Sequence, residues 1–180
     1  NENFERLDLD VEIRNLRSHS LRIAAGQGII EDNVLDGASQ GGIKLECEST
    51  LEPFSPKGWI TDVKIRNNRI LRPGLNYFAG RYPAAIQVNH VSPSGILTEG
   101  RPNRDITIVD NEIRDSARYG ILLHDGSGFR VTGNSMSNLH TLDYLDFAKV
   151  AVAIQNVSDG SLSDNIARGS PAEIEELGFE

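Results

Sequence analysis

The chain has 180 residues, a mass of 19.8 kDa and a formal net charge of −8 at pH 7, which is enough sequence for one sizeable domain. The acidic balance argues against a nucleic-acid or anionic-membrane partner, because phosphates attract Lys and Arg. We therefore expect neither partner. Cys47 is the only cysteine, so the chain forms no internal disulfide and the redox compartment stays undetermined.

The first residues alternate apolar and polar positions from the start, at Leu7, Leu9, Val11 and Ile13. No basic region followed by an apolar stretch precedes them, and no apolar run approaches the roughly 20 residues that span a bilayer. The pattern thus begins without a cap. We expect residues 1–180 to form a single domain that is an N-terminally truncated part of a larger protein.

One frame recurs along the chain: an Asn with an apolar residue three positions before it and another two positions after it. The first copy is degenerate, with Arg in place of Asn. The six copies are Val11, Arg14, Leu16; Ile30, Asn33, Leu35; Ile65, Asn68, Ile70; Ile108, Asn111, Ile113; Val131, Asn134, Met136; and Leu162, Asn165, Ala167. Short spacings between copies indicate bare coils, and long spacings indicate coils that carry insertions.

A second strand follows the frame at a fixed distance. Gly42-Ile43 lies nine and ten residues after Asn33, and Gly120-Ile121 lies at the same distance after Asn111. Short alternating strands, Gly, Asn or Asp at the corners and no helical period predict an all-β fold, a right-handed parallel β-helix of about six coils with loop insertions. The Leu spacing of a leucine-rich repeat is absent, and an antiparallel sandwich would not explain the fixed distance.

The repeated Asn is interpreted as a corner residue. Asn tolerates a left-handed backbone, and stacked amides bond along the solenoid as a ladder. At the other end of the chain, Ser170, Pro171 and Glu173 form a capping pattern. It predicts a short C-terminal helix from Pro171 to Leu177 that covers the open end of the solenoid.

Three motifs, IIEDNVLDGASQGGIKLE, VKIRNNRIL and ITIVDNEIRDSARYGILLHD, resemble the parallel β-helix repeats of the pectate-lyase-like superfamily, and the resemblance covers most of Val11 to Arg168. The run IRNLRSHSLRIAAGQGIIEDNVLDGASQGGIKLE, a loop with Trp59, and VKIRNNRI are similar to the β-helix of family 110 glycoside hydrolases, which are α-galactosidases. The resemblance implies a β-helix fold and a carbohydrate substrate.

Four insertions, 47–61, 73–83, 90–104 and 139–150, hold most of the aromatic residues. Insertions on one face of a solenoid usually build its binding surface. Aromatic faces such as those of Trp59 and Tyr82 stack on the apolar faces of sugar rings, and they equally serve to pack loops onto the coils. Both interpretations stay open.

Alternate residues of the second strands must point out of the coil. Two outward columns follow: Arg22, Lys44, Gln87, Leu122, Ala153, and Ala24, Glu46, Asn89, His124, Gln155. Coils stack about 4.8 Å apart, so the second column places Glu46 roughly 9 to 10 Å from His124. Glu48, His90 and Asp125 lie just beyond it.

A carboxylate, an amide and an imidazole are usual partners for hydroxyl groups and proton transfer. Glu46 and Asp125 are the predicted catalytic pair, with Glu48 as the substitute and His124 as a further catalytic residue. The predicted substrate-binding residues are Lys44, Gln87, Asn89, His90, Trp59, Tyr82 and Gln155. No metal and no cofactor is predicted. The aspartates lack calcium-loop spacing, so a metal site could form only through folding.

The sequence therefore predicts a carbohydrate-active protein that hydrolyses a glycosidic bond in a poly- or oligosaccharide, outside the cell or in the periplasm. Inverting hydrolases use two carboxyls roughly 6.5 to 9.5 Å apart. The alternatives are a polysaccharide lyase or epimerase on the same fold, and a non-catalytic glycan-binding or structural β-helix. A lyase acting on an acidic sugar needs cations, and the outward columns offer only Arg22 and Lys44, which favours a neutral glycan.

Overall fold

The computed structural model describes residues 11–24, 26–48, 59–75, 84–91, 103–142 and 150–169. The described chain contains strands and no helix. The strands are β1 (Glu12–Arg14), β2 (His19–Ile23), β3 (Gly28–Glu31), β4 (Val34–Asp36), β5 (Gly41–Glu48), β6 (Thr61–Arg66), β7 (Arg69–Leu71), β8 (Ala84–Val91), β9 (Asn103–Val109), β10 (Glu112–Arg114), β11 (Tyr119–Ser127), β12 (Arg130–Thr132), β13 (Ser135–Ser137), β14 (Val152–Ser158), β15 (Ser161–Ser163) and β16 (Ile166–Arg168). The helix predicted at Pro171 to Leu177 lies outside the described residues.

The strands wind into a three-faced solenoid in which the pairings between strands are parallel. The first face is a sheet of β1, β4, β7, β10, β13 and β16. The second face holds β2, β5, β8, β11 and β14, and the third holds β3, β6, β9, β12 and β15. Gly126 of β11 pairs with Asn103 of β9, which joins these two faces into one sheet. The predicted all-β parallel β-helix of about six coils is confirmed.

A column of left-handed residues marks each of the three corners, with φ between 48° and 73°. The first column is Asp32, Asn67, Asp110, Gly133, Asp164; the second is Asn15, Gly37, Arg72, Asp115, Asn138, Gly169; the third is Asp62, Asp105, Gly128, Asp159. Asn, Asp and Gly adopt this backbone at lower cost than other residues. The predicted corner composition is therefore correct, and its cause is the turn that each coil makes three times.

The repeated Asn residues form a ladder of amides inside the first corner. The side chain of Asn68 donates to Asn111 Oδ1 at 2.9 Å, and that of Asn111 donates to Asn134 Oδ1 at the same distance. Asn33 and Asn165 extend the ladder at its two ends. The predicted ladder is confirmed, but the left-handed residue is the one before each of these Asn residues, because the amide must point into the coil to meet its neighbour.

The first copy of the frame was placed wrongly by the sequence. Ile13 aligns with Leu35, and the backbone N–H of Val11 donates to Asn33 Oδ1 at 3.4 Å, so Val11 occupies the position of the ladder Asn. Arg14 and Leu16, predicted for that frame, lie beyond it, and Leu16 is 39% exposed. No amide marks this coil in the sequence, so the apolar alternation alone set the register three residues late.

The core is a set of aliphatic columns inside the solenoid. Ile65 aligns with Ile30 and Ile108, and Ile86 aligns with Ile43 and Ile121. All of them except Ile30 are fully buried, and Ile30 is 9% exposed. The Gly-Ile pairs of the second strands align as predicted. These columns hold each second strand in register and so fix which residues point outward.

Candidate functional site

The outward residues of the second face stack in the predicted register. Lys44 aligns with Arg22 and Gln87, and Leu122 aligns with Gln87 and Ala153. In the second column Glu46 aligns with Asn89, and His124 aligns with Gln155. The parallel pairing thus brings these polar groups onto one face.

Part of this face is covered by apolar contacts. Leu122 and Ala153 are buried in a small hydrophobic cluster with Ala84, Tyr119 and Val150, outside the coil interior. The Tyr119 ring meets the His140 ring edge-on at 5.5 Å, and His140 Nε2 lies 2.8 Å from the Val150 carbonyl oxygen. Residues that include Tyr119 and Val150 therefore cover the second face at Leu122, and Gln87 is buried beside Leu122.

Glu46 is a buried carboxylate held by two cations. Arg22 Nη2 lies 2.5 Å from Glu46 Oε2, Lys44 Nζ pairs with Oε1, and the Asn89 amide donates to Oε1 at 3.3 Å. Burial raises the pKa of Glu46, but the hydrogen bond and charge of Lys44, the charge of Arg22 and the Asn89 amide together hold that pKa below its ordinary value. Glu46 is therefore kept ionised.

Asp125 forms a second buried group two coils away. Its side chain is 0% exposed, and its Oδ1 accepts a hydrogen bond from the Asn156 amide. Its Oδ2 lies 3.1 Å from His124 Nδ1 and 3.9 Å from His90 Nδ1. The arrangement surrounds one carboxylate with an amide on one side and two imidazoles on the other.

Trp59 lies at the edge of this group. Its ring centroid is 6.3 Å from that of His90 with the planes tilted by 47°, and the residue is 57% exposed. Burial lowers the pKa of His90, Asp125 opposes that shift, and His124 adds to it. His90 therefore stays neutral at lower pH than an exposed histidine, and it presents an uncharged ring between the indole and Asp125.

The structure thus brings most of the predicted site residues onto one face. Asn89 bonds to Glu46, and Gln155 is exposed in the column of His124. Tyr82 and the side chain of Glu48 lie outside the described residues. Arg22 and Asn156 contact the two carboxylates and were not assigned by the sequence. Arg22 stood in the first outward column, whereas neither the repeated frame nor the two outward columns include Asn156.

His19, at the first coil of this face, gives the chain a pH-dependent stability. Burial, followed by the charge of Lys44, lowers the pKa of His19 from 6.5 to about 4. The unfolded chain then binds more protons than the folded chain between those values, so stability falls as the pH drops from 6.5 to 4. His90 acts in the same direction, whereas Glu46, with a lowered pKa, loses its contribution only below about its ordinary value of 4.5.

We expect the His19→Gln variant to lose less stability than the unmodified chain between pH 7 and pH 4.5, because Gln has no proton to gain. Urea unfolding at both pH values measures this difference. Equal losses for the two chains would contradict the buried, neutral state of His19.

The described residues include no helix that is long and apolar enough to cross a membrane. They also include no group of three or more His, Cys, Asp or Glu side chains arranged to hold a metal ion.

Comparison with known protein families places the chain in one of them. A family model described as right handed beta helix region matches residues 9–170. No curated protein matches the chain. The match covers the six coils described above and assigns a right-handed turn to the solenoid.

Proposed function

The chain belongs to the right-handed β-helix family, and on that premise we propose that it binds a poly- or oligosaccharide on its second face and hydrolyses a glycosidic bond there. The observation that carries the proposal is the exposed Trp59 indole beside a buried Asp125 flanked by His90 and His124. An indole face stacks on a sugar ring, and a carboxylate next to an imidazole moves protons. A secreted or periplasmic location is part of the same proposal.

Asp125 and His124 act together in the proposed reaction. Asp125 is 0% exposed and His124 is 7% exposed, so His124 is the more accessible group, which meets the glycosidic oxygen and donates a proton as the C–O bond to the anomeric carbon breaks. The negative charge of Asp125, 3.1 Å from His124 Nδ1, stabilises the protonated ring before that transfer. A water molecule supplies the oxygen that bonds to the anomeric carbon.

Glu46 is the second carboxylate of the proposal. It stays ionised between Arg22 and Lys44, so it has no proton of its own and can accept one from the attacking water. Two coil spacings of about 4.8 Å place it roughly 9 to 10 Å from the His124–Asp125 strand, enough room for a sugar and a water.

The two cations of this face support a neutral glycan. Arg22 and Lys44 both contact Glu46, so a uronic acid carboxylate would have to compete with an internal one. Elimination by a lyase depends on neutralising such a carboxylate. Hydrolysis of a neutral sugar needs no such partner, and the similarity of the first coils to family 110 glycoside hydrolases supports the same choice.

Asp125→Asn tests the proposal on a panel of neutral oligosaccharides. We expect kcat/KM to fall about 10³-fold, because a neutral amide no longer stabilises protonated His124. Asp115→Asn is the matched control, because Asp115 also accepts a hydrogen bond from an Asn of the next coil but lies at a corner. The kcat/KM of this variant is expected to stay within twofold of that of the unmodified chain.

A second candidate is glycan binding without catalysis. The buried state of both carboxylates, each already bonded to its neighbours, favours it. The chain has one tryptophan, so its fluorescence reports on Trp59. A fluorescence change on sugar addition without turnover supports this candidate. No turnover and no fluorescence change with any glycan would overturn both.

A further inference from the structure

We propose that Asn156 is a positioning residue that holds Asp125 in the orientation needed for its contact with His124. The inference deepens the proposed function and rests on it for the meaning of that contact. The hydrogen bond itself, and the test below, do not depend on any activity.

Asn156 stacks directly on Asp125 in the next coil. His124 aligns with Gln155 and Gly126 aligns with Val157, so the two residues between them share one register position. The Asn156 amide donates to Asp125 Oδ1 at 2.5 Å. The donor is separated from its acceptor by 31 residues of sequence and by one coil of structure.

The backbone at this position differs from that of its surroundings. Asp125 has φ 55° and Asn156 has φ 52°, and both lie inside the long strands β11 and β14 rather than in the three corner columns. His90, the residue of β8 next to Asp125, has no left-handed backbone. The left-handed turn is therefore local to the two coils that share this hydrogen bond.

A second Asn–Asp pair shows what the same bond does elsewhere. Asn138 donates to Asp115 Oδ1, also at 2.5 Å, and both residues are left-handed. That pair belongs to a regular corner column, and Asn138 is exposed. The corner pair is explained by the turn of the coil. The pair of Asp125 and Asn156 has no corner to make, and its acceptor is the buried carboxylate beside His90 and His124.

The bond divides the two oxygens of Asp125 between two tasks. Oδ1 is occupied by the Asn156 amide, and Oδ2 lies beside the two histidines. An amide suits this task because it donates a hydrogen bond without adding charge to the group. The titratable side chains that face Asp125 among the described residues are His124 on its own strand and His90 on β8.

The test is the titration of the four histidines by NMR in the Asn156→Asp and Asn156→Ala variants. Asn156→Asp places a second carboxyl at hydrogen-bond distance from Asp125, and the pair carries one more negative charge than Asp125 alone once both carboxyls are ionised. We expect the midpoints of His90 and His124 to rise in this variant, while those of His19 and His140 stay unchanged. Asn156→Ala, which frees Oδ1, is expected to shift the midpoint of His124 with no change of charge.

Asn138→Asp is the matched control. It makes the same change at the corner pair, and we expect no histidine midpoint to move. The proposal is overturned if Asn156→Asp folds and titrates like the unmodified chain, or if the control moves the same two midpoints. If a variant unfolds, the Asn156→Gln variant, which keeps the amide on a longer side chain, replaces it in the same titration.

Activity separates this inference from the function that it serves. Where a glycan substrate is found, Asn156→Ala should lower kcat about tenfold and leave KM within twofold, because Asn156 acts through Asp125. If no substrate is found, the proposed function fails while the histidine titrations still decide the role of Asn156.

Discussion

Asn111→Ala is expected to destabilise the fold by about 4 kcal/mol, because it removes the centre of the amide ladder. The Asn111 side chain donates to Asn134 Oδ1, to the Ile65 carbonyl and to the Val109 carbonyl, all within 3.0 Å. Its Oδ1 accepts from the backbone and the side chain of Asn68. Alanine leaves these buried donors and acceptors unpaired, and each unpaired group costs about 1–3 kcal/mol.

Urea unfolding at pH 7 measures this loss. The matched control is Asn165→Ala at the last described rung, where Asn165 is half-buried and donates to the Val131 carbonyl. Among the described residues, the Asn165 side chain makes three hydrogen bonds against five at Asn111, so a smaller loss of about 1–2 kcal/mol is expected. Equal losses at the two rungs would show that position in the ladder has no bearing on stability.

Gly42→Ala is expected to cost about 2 kcal/mol, because both residues of a Gly-Ile pair point into the coil. A Cβ on Gly42 would lie 2.5 Å from Ile70 Cγ2 and 2.8 Å from the backbone oxygen of Ala85. The side chain of Ile70 is fully buried in the packed core, so it cannot move aside easily. The Ala85 carbonyl belongs to the neighbouring strand β8. The methyl group must therefore push two coils apart.

Gly28→Ala is the control for this prediction. A Cβ on Gly28 meets nothing within 4 Å, and Gly28 does not have a left-handed backbone. Alanine there should leave the free energy of unfolding unchanged or raise it by up to about 1 kcal/mol, through the lower entropy of the unfolded chain. Thermal and urea unfolding of both variants measure this difference. Equal changes in the free energy of unfolding would contradict the inward orientation of Gly42.

The repeat of Asn and apolar residues was sufficient to predict the coils. Each frame from Ile30 onward has the register that the structure shows, because an inward residue in one coil must meet an inward residue in the next. The ladder of amides followed from the same repeat. The first coil was misplaced because its anchor position holds Val11, which carries no amide.

The outward columns were also predictable, since alternation along a strand fixes them once the inward residues are known. What alternation does not give is which outward side chains are accessible. Leu122 and Gln87 are buried although they point out of the coil, and Trp59 remains exposed. The packing of chain segments from other coils decides this.

The sequence by itself therefore determined the β-helix, the register of its coils from Ile30 onward and the face on which Glu46, His124 and Asp125 lie, because all three follow from local periodicity. The tertiary structure decided the partners of those groups. Glu46 forms an ion pair with Arg22 of the preceding coil, and Asp125 accepts a hydrogen bond from Asn156 of the following coil, 31 residues away. Insertions of different length separate the coils in sequence. Contacts between coils therefore join residues at irregular sequence separations, whereas the repeat within each coil has a regular spacing.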